Sequence, residues 1–320
     1  MKVVRLHGPH DLRMHDEPEP EPGPSEALIR VQAVGICGSD LHWFGEAGIG
    51  DAKLSQPLVL GHEFTGVIAA GPRQGERVAV DPAVPCHACE FCLQGNPNLC
   101  ERVRFAGHGV VDGALQEFIA WPEECLFPLP AALSNSDGVM LEPLGVAMHA
   151  VDLAHLRAGM TVGVFGCGPI GLLVIQMAQL SGASRVFITE PLPHRLEAAR
   201  KLGAREWKNG QMVDVAFEVA GEEDAVETAF AAVKPGGKVI LAGIPVDDHT
   251  SFTASLARRK GLTIKMVRRM KFTYPRALQL VENGQVDVRS LVTLHFPLEQ
   301  AQQAFILAQQ RQGLKIIITI

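Results

Sequence analysis

Four of the chain's seven cysteines, Cys86, Cys89, Cys92 and Cys100, fall within PCHACEFCLQGNPNLC at residues 85–100. The spacing C-x2-C-x2-C-x7-C suits four thiolates closing around one tetrahedral ion, and zinc is the metal this donor set favours. An iron–sulfur centre shares the start of the pattern, but bacterial ferredoxins bring the fourth cysteine after three residues and follow it with proline. Here seven residues intervene and Glu101 follows. Four unliganded cysteines would leave a loop rich in glycine, proline and asparagine with nothing to hold it together. His87 lies inside the cluster, but four sulfurs complete a tetrahedron and leave it a bystander. A closed site of this kind stiffens a loop and offers a substrate no open position, so reactive chemistry has to come from other residues.

Three further segments carry metal-ligating residue types: GICGSDLH (35–42), LGHEFTG (60–66) and LEPLGVAMH (141–149). Cys37 ends the alternating stretch EALIRVQAVGIC, and His62 with Glu63 follows the apolar PLVL, so these groups sit at strand ends. Taken singly, each has a plain reading. Cys37 is then a small core residue, His62 a hydrogen-bonded turn histidine and Glu142 a carboxylate favoured at a helix N-terminus. Neighbours His62 and Glu63 would point to opposite faces of a regular strand, so any shared role needs a turn, which Gly61 permits.

A different chemistry begins at Met160. MTVGVFGCGPIGLLVIQMAQL joins a strand to a helix through Gly166, Cys167, Gly168, Pro169, Ile170 and Gly171, the G-x-G-x-x-G turn in its confirming context. Without side chains, these glycines let a dinucleotide pyrophosphate approach backbone N–H groups at the helix N-terminus. Glu190 closes the following strand at the separation of a ribose-binding acid, which favours NAD over NADP by repelling a 2′-phosphate. His194 and Arg195 lie close enough in sequence to offset part of that repulsion.

The elements that must position these groups are of two kinds. Up to about residue 146, short alternating strands (KVVRL, ALIRVQAV, TGVIAA, ERVAV, LQEFIAW) separated by proline and glycine predict a partly open β-barrel. From 147 to 268, strands and helices alternate through DVAFEVAG, KVILAG and LTIKMV, as in a doubly wound parallel sheet. Residues 269–320 return to the first domain, with a helix expected at 297–308 and a strand at 315–320. Only REWKNGQMV separates the helix ending in LGA from DVAFE, which leaves one edge of the sheet short.

The uncharged run between Arg157 and Arg185 superficially resembles a membrane span, but its glycines and proline divide it into strand, turn and buried helix. The first residues carry charges at Lys2, Arg5 and Arg13 and no signal-like apolar run, so a cytoplasmic location is expected. In that reducing compartment clustered cysteines point to metal rather than disulfides. A formal charge of −6 argues against nucleic-acid and anionic-membrane partners. Residues 85–104 likewise set only Arg102 and Arg104 against Glu90 and Glu101, too little for a nucleic-acid-binding zinc ribbon.

In this order, C-G-S-D-x-H, G-H-E, the four-cysteine lobe, L-E-P and G-x-G-x-x-G resemble the zinc-dependent medium-chain dehydrogenases, most closely their sorbitol or polyol branch. The resemblance runs essentially end to end and implies an α/β protein, a GroES-like partly open barrel joined to a Rossmann domain. It implies two zinc ions per chain, one structural and one catalytic. The catalytic ion would be held by Cys37, His62 and Glu63, with water or substrate oxygen completing it. Glu142 stands where the alcohol dehydrogenase branch carries a cysteine ligand, and binds the metal directly, through water, or touches only substrate. Ala220, Gly221, Gly243 and Ile244, at the ends of later strands, would lie along the dinucleotide.

The reaction so implied passes hydride from a zinc-activated carbinol to nicotinamide in a cleft between the domains, with Ser39 and His42 relaying the proton. Asp40 reads equally as a helix cap and is left out of the site. Ser39, Trp43, Phe105, Glu142 and Arg269 resemble pocket positions of polyol dehydrogenases, although Met270 stands where those enzymes often carry tyrosine. A carboxylate and a guanidinium suit several hydroxyls better than an alkyl chain, so sorbitol, xylitol or a related polyol is the expected substrate. Secondary-alcohol, butanediol or threonine dehydrogenation on the same scaffold is the second reading. A zinc-stabilised protein that only binds nucleotide or a partner is the non-enzymatic one. The family also implies a homodimer or homotetramer.

Overall fold

Alternating apolar residues in EALIRVQAVG make the ten-residue strand Glu26–Gly35, and it organises the first of two units. A computed structural model describes all 320 residues, with Met1–Glu142 and Tyr274–Ile320 forming this unit and Pro143–Thr273 the other. Glu26–Gly35 pairs antiparallel with Glu63–Ile68, Phe118–Pro122 and Lys315–Thr319, so one strand gathers segments from both ends of the chain. Arg77–Val80 and Leu126–Pro128 extend the sheet on one side and Val292–Pro297 on the other. Lys2–Gly8, Asp11–Asp16 and Leu58–Val59 form a second sheet, and together the strands make a partly open β-barrel. Its core holds Trp43 and Phe44 of helix Gly38–Glu46, Phe64 from a barrel strand and Phe305 from helix Ala301–Gln309. The expected helix at 297–308 begins instead as a 3-10 turn, Leu298–Gln300, capped by Pro297 and followed by the α-helix Ala301–Gln309.

The second unit is a six-stranded sheet, parallel throughout. Its order is Arg205–Glu206, Arg185–Thr189, Thr161–Phe165, Val213–Glu218, Val233–Leu241, Thr263–Met266. The short segment before DVAFE still supplies an edge strand, of only two residues, Arg205–Glu206. Chain order reverses at Thr161–Phe165, and the carboxyl ends of strands at such a switch point are where open α/β sheets bind ligands. The uncharged run resolves into strand Thr161–Phe165 and the twelve-residue helix Pro169–Leu180. At roughly 1.5 Å per residue that helix falls well short of a bilayer, and no helix of the chain is long and apolar enough to cross a membrane.

Candidate metal centres and coenzyme turns

Cys86, Cys89, Cys92 and Cys100 come together so that their four sulfurs lie within 4.8 Å of one another. The loop is arranged around sulfur: Cys86 N donates to Cys100 Sγ at 3.3 Å and Cys89 N to Cys86 Sγ at 3.3 Å. The backbone N–H of Ala88, with that of Cys89, pulls the Cys86 thiol down to about 6, while burial and its sulfur neighbours push that of Cys92 up to about 12. His87 turns away, with a left-handed φ of 54° and its Nε2 2.9 Å from Glu124 Oε1. Arg104 is occupied too, bonded to Glu26 at 2.7 Å and stacked 5.1 Å over Trp121.

A second cluster joins Cys37, His62 and Glu63, whose ligand atoms also lie within 4.8 Å of one another. Cys37 follows strand Glu26–Gly35 and caps helix Gly38–Glu46. Gly61, at φ 93°, makes the turn that neighbouring ligands require, and regular strand begins only at Glu63. One thiolate, one imidazole and one carboxylate within reach of a single point form a donor set suited to zinc, with a position left for another ligand.

The groups behind these donors were only partly visible in the sequence. Asp40, 1% exposed, places Oδ1 3.3 Å from His62 Nδ1 and accepts from the backbone of Cys37 at 2.9 Å and of Gly61 at 3.3 Å. Burial alone would raise the Asp40 carboxyl, yet His62 and these amides hold it below its usual value. Burial opposes a charge on His62, but Asp40 and Cys37 raise its affinity for a proton well above normal. A carboxylate behind a ligating imidazole also orients the ring and strengthens it as a donor. Lys315, which the sequence marks only as the start of a strand, sets its buried ammonium against Glu63 Oε2. The sequence offered Asp40 as a helix cap without showing what else its carboxylate would face, and nothing local marks a lysine opening the apolar strand KIIIT.

Glu142 is buried at the first turn of helix Leu141–Ala154. Burial lifts its carboxyl to about 7, with His62 pulling it down and Glu63 pushing it up. Phe105 lies beside the cluster, its ring centroid 5.2 Å from that of His62. Ser39 is half-buried on helix Gly38–Glu46, and His42 Nδ1 lies 3.7 Å from Glu46 Oε1. Trp43 is 1% exposed in the barrel core, edge-on to His108. Arg269 lies in the other unit with a left-handed φ of 53°.

In that unit, Gly168 caps helix Pro169–Leu180 and Pro169 occupies its first turn. A side chain on Gly171 would sit 2.1 Å from the Gly166 carbonyl oxygen, so the close strand-to-helix turn requires glycine there. A Cβ on Gly168 would meet nothing closer than Arg195 Nη1 at 3.6 Å, which leaves space beside a guanidinium at the helix N-terminus. That combination suits a phosphate. Ile170 follows within the same first turn. Glu190 is fixed by the backbone of Cys167 at 2.7 Å and of Leu192 at 3.0 Å. Across the sheet, Glu218 accepts from the amides of Ala220 and Gly221, each at 2.7 Å. A Cβ on Gly243 would lie 2.1 Å from Gly221 N, and one on Gly221 2.4 Å from Ile244 O, so these turns touch backbone to backbone.

Residues 23–131 match the alcohol dehydrogenase GroES-like domain and residues 169–283 the zinc-binding dehydrogenase domain. The chain is similar to a sorbitol dehydrogenase of Bacillus subtilis, 35% identical over 99% of this chain and 97% of the relative. It is 34% identical to a probable D-xylulose reductase A of Emericella nidulans, over 98% of this chain and 94% of that one. Among solved structures, the 2R,3R-butanediol dehydrogenase of Bacillus subtilis matches with a TM-score of 0.88 at 30% identity, covering 100% of this chain and 99% of the other.

Proposed function

Since the chain belongs to the zinc-binding alcohol dehydrogenase family, we propose that it is an NAD-dependent polyol dehydrogenase, oxidising a secondary carbinol of sorbitol, xylitol or a related sugar alcohol to the ketose. The observation that carries this reading is the convergence of Cys37, His62 and Glu63 on one point, with the carboxyl of Glu142 buried beside them. When bound there, zinc supplies a Lewis acid that makes a carbinol proton easier to lose, and the nicotinamide coenzyme supplies the hydride acceptor.

The chain's own residues do the remainder. Cys37, His62 and Glu63 hold the catalytic ion and Cys86, Cys89, Cys92 and Cys100 the structural one, two per chain. Asp40 keeps the His62 ring oriented. Ser39 accepts the released proton and His42, 13% exposed, passes it outward. Glu142 and Arg269 take hydroxyls of the substrate and Phe105 limits its shape, because buried polar groups need partners and an alkyl chain provides none. Gly166, Gly168, Pro169, Ile170 and Gly171 with Arg195 receive the pyrophosphate. Glu190 takes the adenine ribose, and Ala220, Gly221, Gly243 and Ile244 flank the nicotinamide half. The protein works in the cytoplasm as a homodimer or homotetramer.

A second reading, oxidation of a vicinal diol, is favoured by the likeness to butanediol dehydrogenase. A panel of sorbitol, xylitol, 2,3-butanediol and threonine, each run with NAD and with NADP, separates the two. The fastest NADH formation is expected from a polyol with NAD. Threonine or butanediol as best substrate, or preference for NADP, would overturn the corresponding assignment.

A further inference from the structure

Lys315 opens strand Lys315–Thr319, is 2% exposed, and lies against Glu63 Oε2 while donating to the carbonyl of Ile36 at 2.9 Å. An ammonium withdrawn from water persists only where it is paired and hydrogen-bonded, and Glu63 with Ile36 meets that condition. The barrel makes room for the pair at one position. A Cβ on Gly35 would lie 2.2 Å from Glu63 Oε2 and 3.0 Å from Lys315 Cε, so only glycine in that strand admits both side chains. Gly35 stands opposite Glu63 in one strand pairing and opposite Ile317, two residues on from Lys315, in the other.

The donors of the cluster are therefore backed by unlike charges. Behind the imidazole of His62 stands the anion Asp40, and behind the carboxylate of Glu63 stands a cation. Resting on the reading of Cys37, His62 and Glu63 as a zinc site, we propose that Lys315 is a positioning residue that competes with the cation for the Glu63 carboxylate and makes Glu63 the most readily displaced ligand. The ammonium takes one carboxylate oxygen and leaves Glu63 to ligate through the other. Its fixed charge also repels a divalent ion in a setting too dry for full screening. His62 meets no such rival, since its partner attracts the ion rather than opposing it.

The test follows zinc release from the holoenzyme to a coloured chelator. Two phases are expected, and loss of the faster one in Cys37→Ser assigns it to this site. Lys315→Met should slow that phase roughly tenfold, the opposite sense to removing a partner that supports a metal ligand. Lys315→Arg, which keeps the charge, should release zinc at the wild-type rate. Lys315→Gln, neutral but still able to donate to Ile36, should behave as the methionine variant and serves if that variant does not fold. In Glu63→Gln the further change Lys315→Gln should slow release less than it does in the wild-type background, because the contested carboxylate is gone and only the repulsion between the ammonium and the ion is left to remove. Unchanged or faster release in the neutral variants would overturn the role of Lys315 while leaving the zinc site standing. A wild-type protein with no phase sensitive to Cys37→Ser would instead overturn the zinc site itself.

Discussion

Asp40 shows how one carboxylate can serve as a cap and as a ligand's partner at once: Oδ2 takes the Cys37 amide and Oδ1 faces His62. Sequence reasoning offered only the cap, and the fold, by bringing Asp40 against His62, adds the second role. Cys37, His62 and Glu63 were legible as a candidate set through the resemblance that their ordered motifs carry, since each taken alone has a plain structural reading. Lys315 was not, because a buried lysine is defined by its partner and that partner lies far away in the chain. Asp40→Asn keeps the side chain's shape and removes its charge, so zinc affinity at this centre should fall roughly 10–100-fold while the fold persists. Titration of the metal-free protein with zinc measures it. Cys37→Ser should abolish turnover with the melting temperature retained, whereas Cys92→Ser should chiefly lower that temperature, since a closed four-sulfur site holds structure rather than substrate. Equal loss of melting temperature in both would contradict the division between a reactive and a structural centre.

Strands and helices were most legible where one period dominates, as in EALIRVQAVG and MTVGVFG, which form Glu26–Gly35 and Thr161–Phe165. Boundaries were less so. LTIKMV forms only Thr263–Met266, and the strand that includes KVIL starts five residues earlier, at Val233. Short irregular connections carry consequences that periodicity does not show. Helix Asn135–Val139 is capped by Ser134, whose hydroxyl accepts from the Asp137 amide at 3.1 Å while Asp137 accepts from the Ser134 amide at 2.8 Å. Arg289, far along the chain, completes the arrangement with Asp137 at 2.9 Å. Burial pushes the Asp137 carboxyl up, but Arg289 and Ser134 more than offset this and hold it below its usual value. A carboxyl so lowered contributes stability above its ordinary pKa, roughly 4, and loses it as pH falls through the lower folded-state value. Arg289→Ala should therefore unfold at a higher pH during acidification. Its deficit against wild type should be full near neutrality and shrink, once both proteins carry a protonated Asp137, to the part owed to the lost bond from Arg289 to the Ala132 carbonyl. Denaturant melts across the acid range check this, and a deficit that stays undiminished at the lowest pH would contradict it.

At the scale of the molecule, one strand ties both chain ends into the barrel and one switch point faces the glycine turn. The two-domain plan was legible because the sequence changes period near the helix that carries Glu142. Finer coenzyme preference was not, because Glu190 and Arg195 lie at the same turn and act in opposite senses on a 2′-phosphate. Substrate choice was less legible still, as the positions proposed for the pocket, such as Phe105 and Glu142, lie far apart in the chain. The central claim is that an incompletely coordinated zinc at Cys37, His62 and Glu63 makes this chain a dehydrogenase. Its most direct test is NADH formation from a polyol before and after a chelator strips the faster-released zinc, and again after zinc is returned. Activity should disappear with that one ion per chain, while the slower-released ion remains, and should return with it. Undiminished NADH formation from protein lacking that ion would contradict the account.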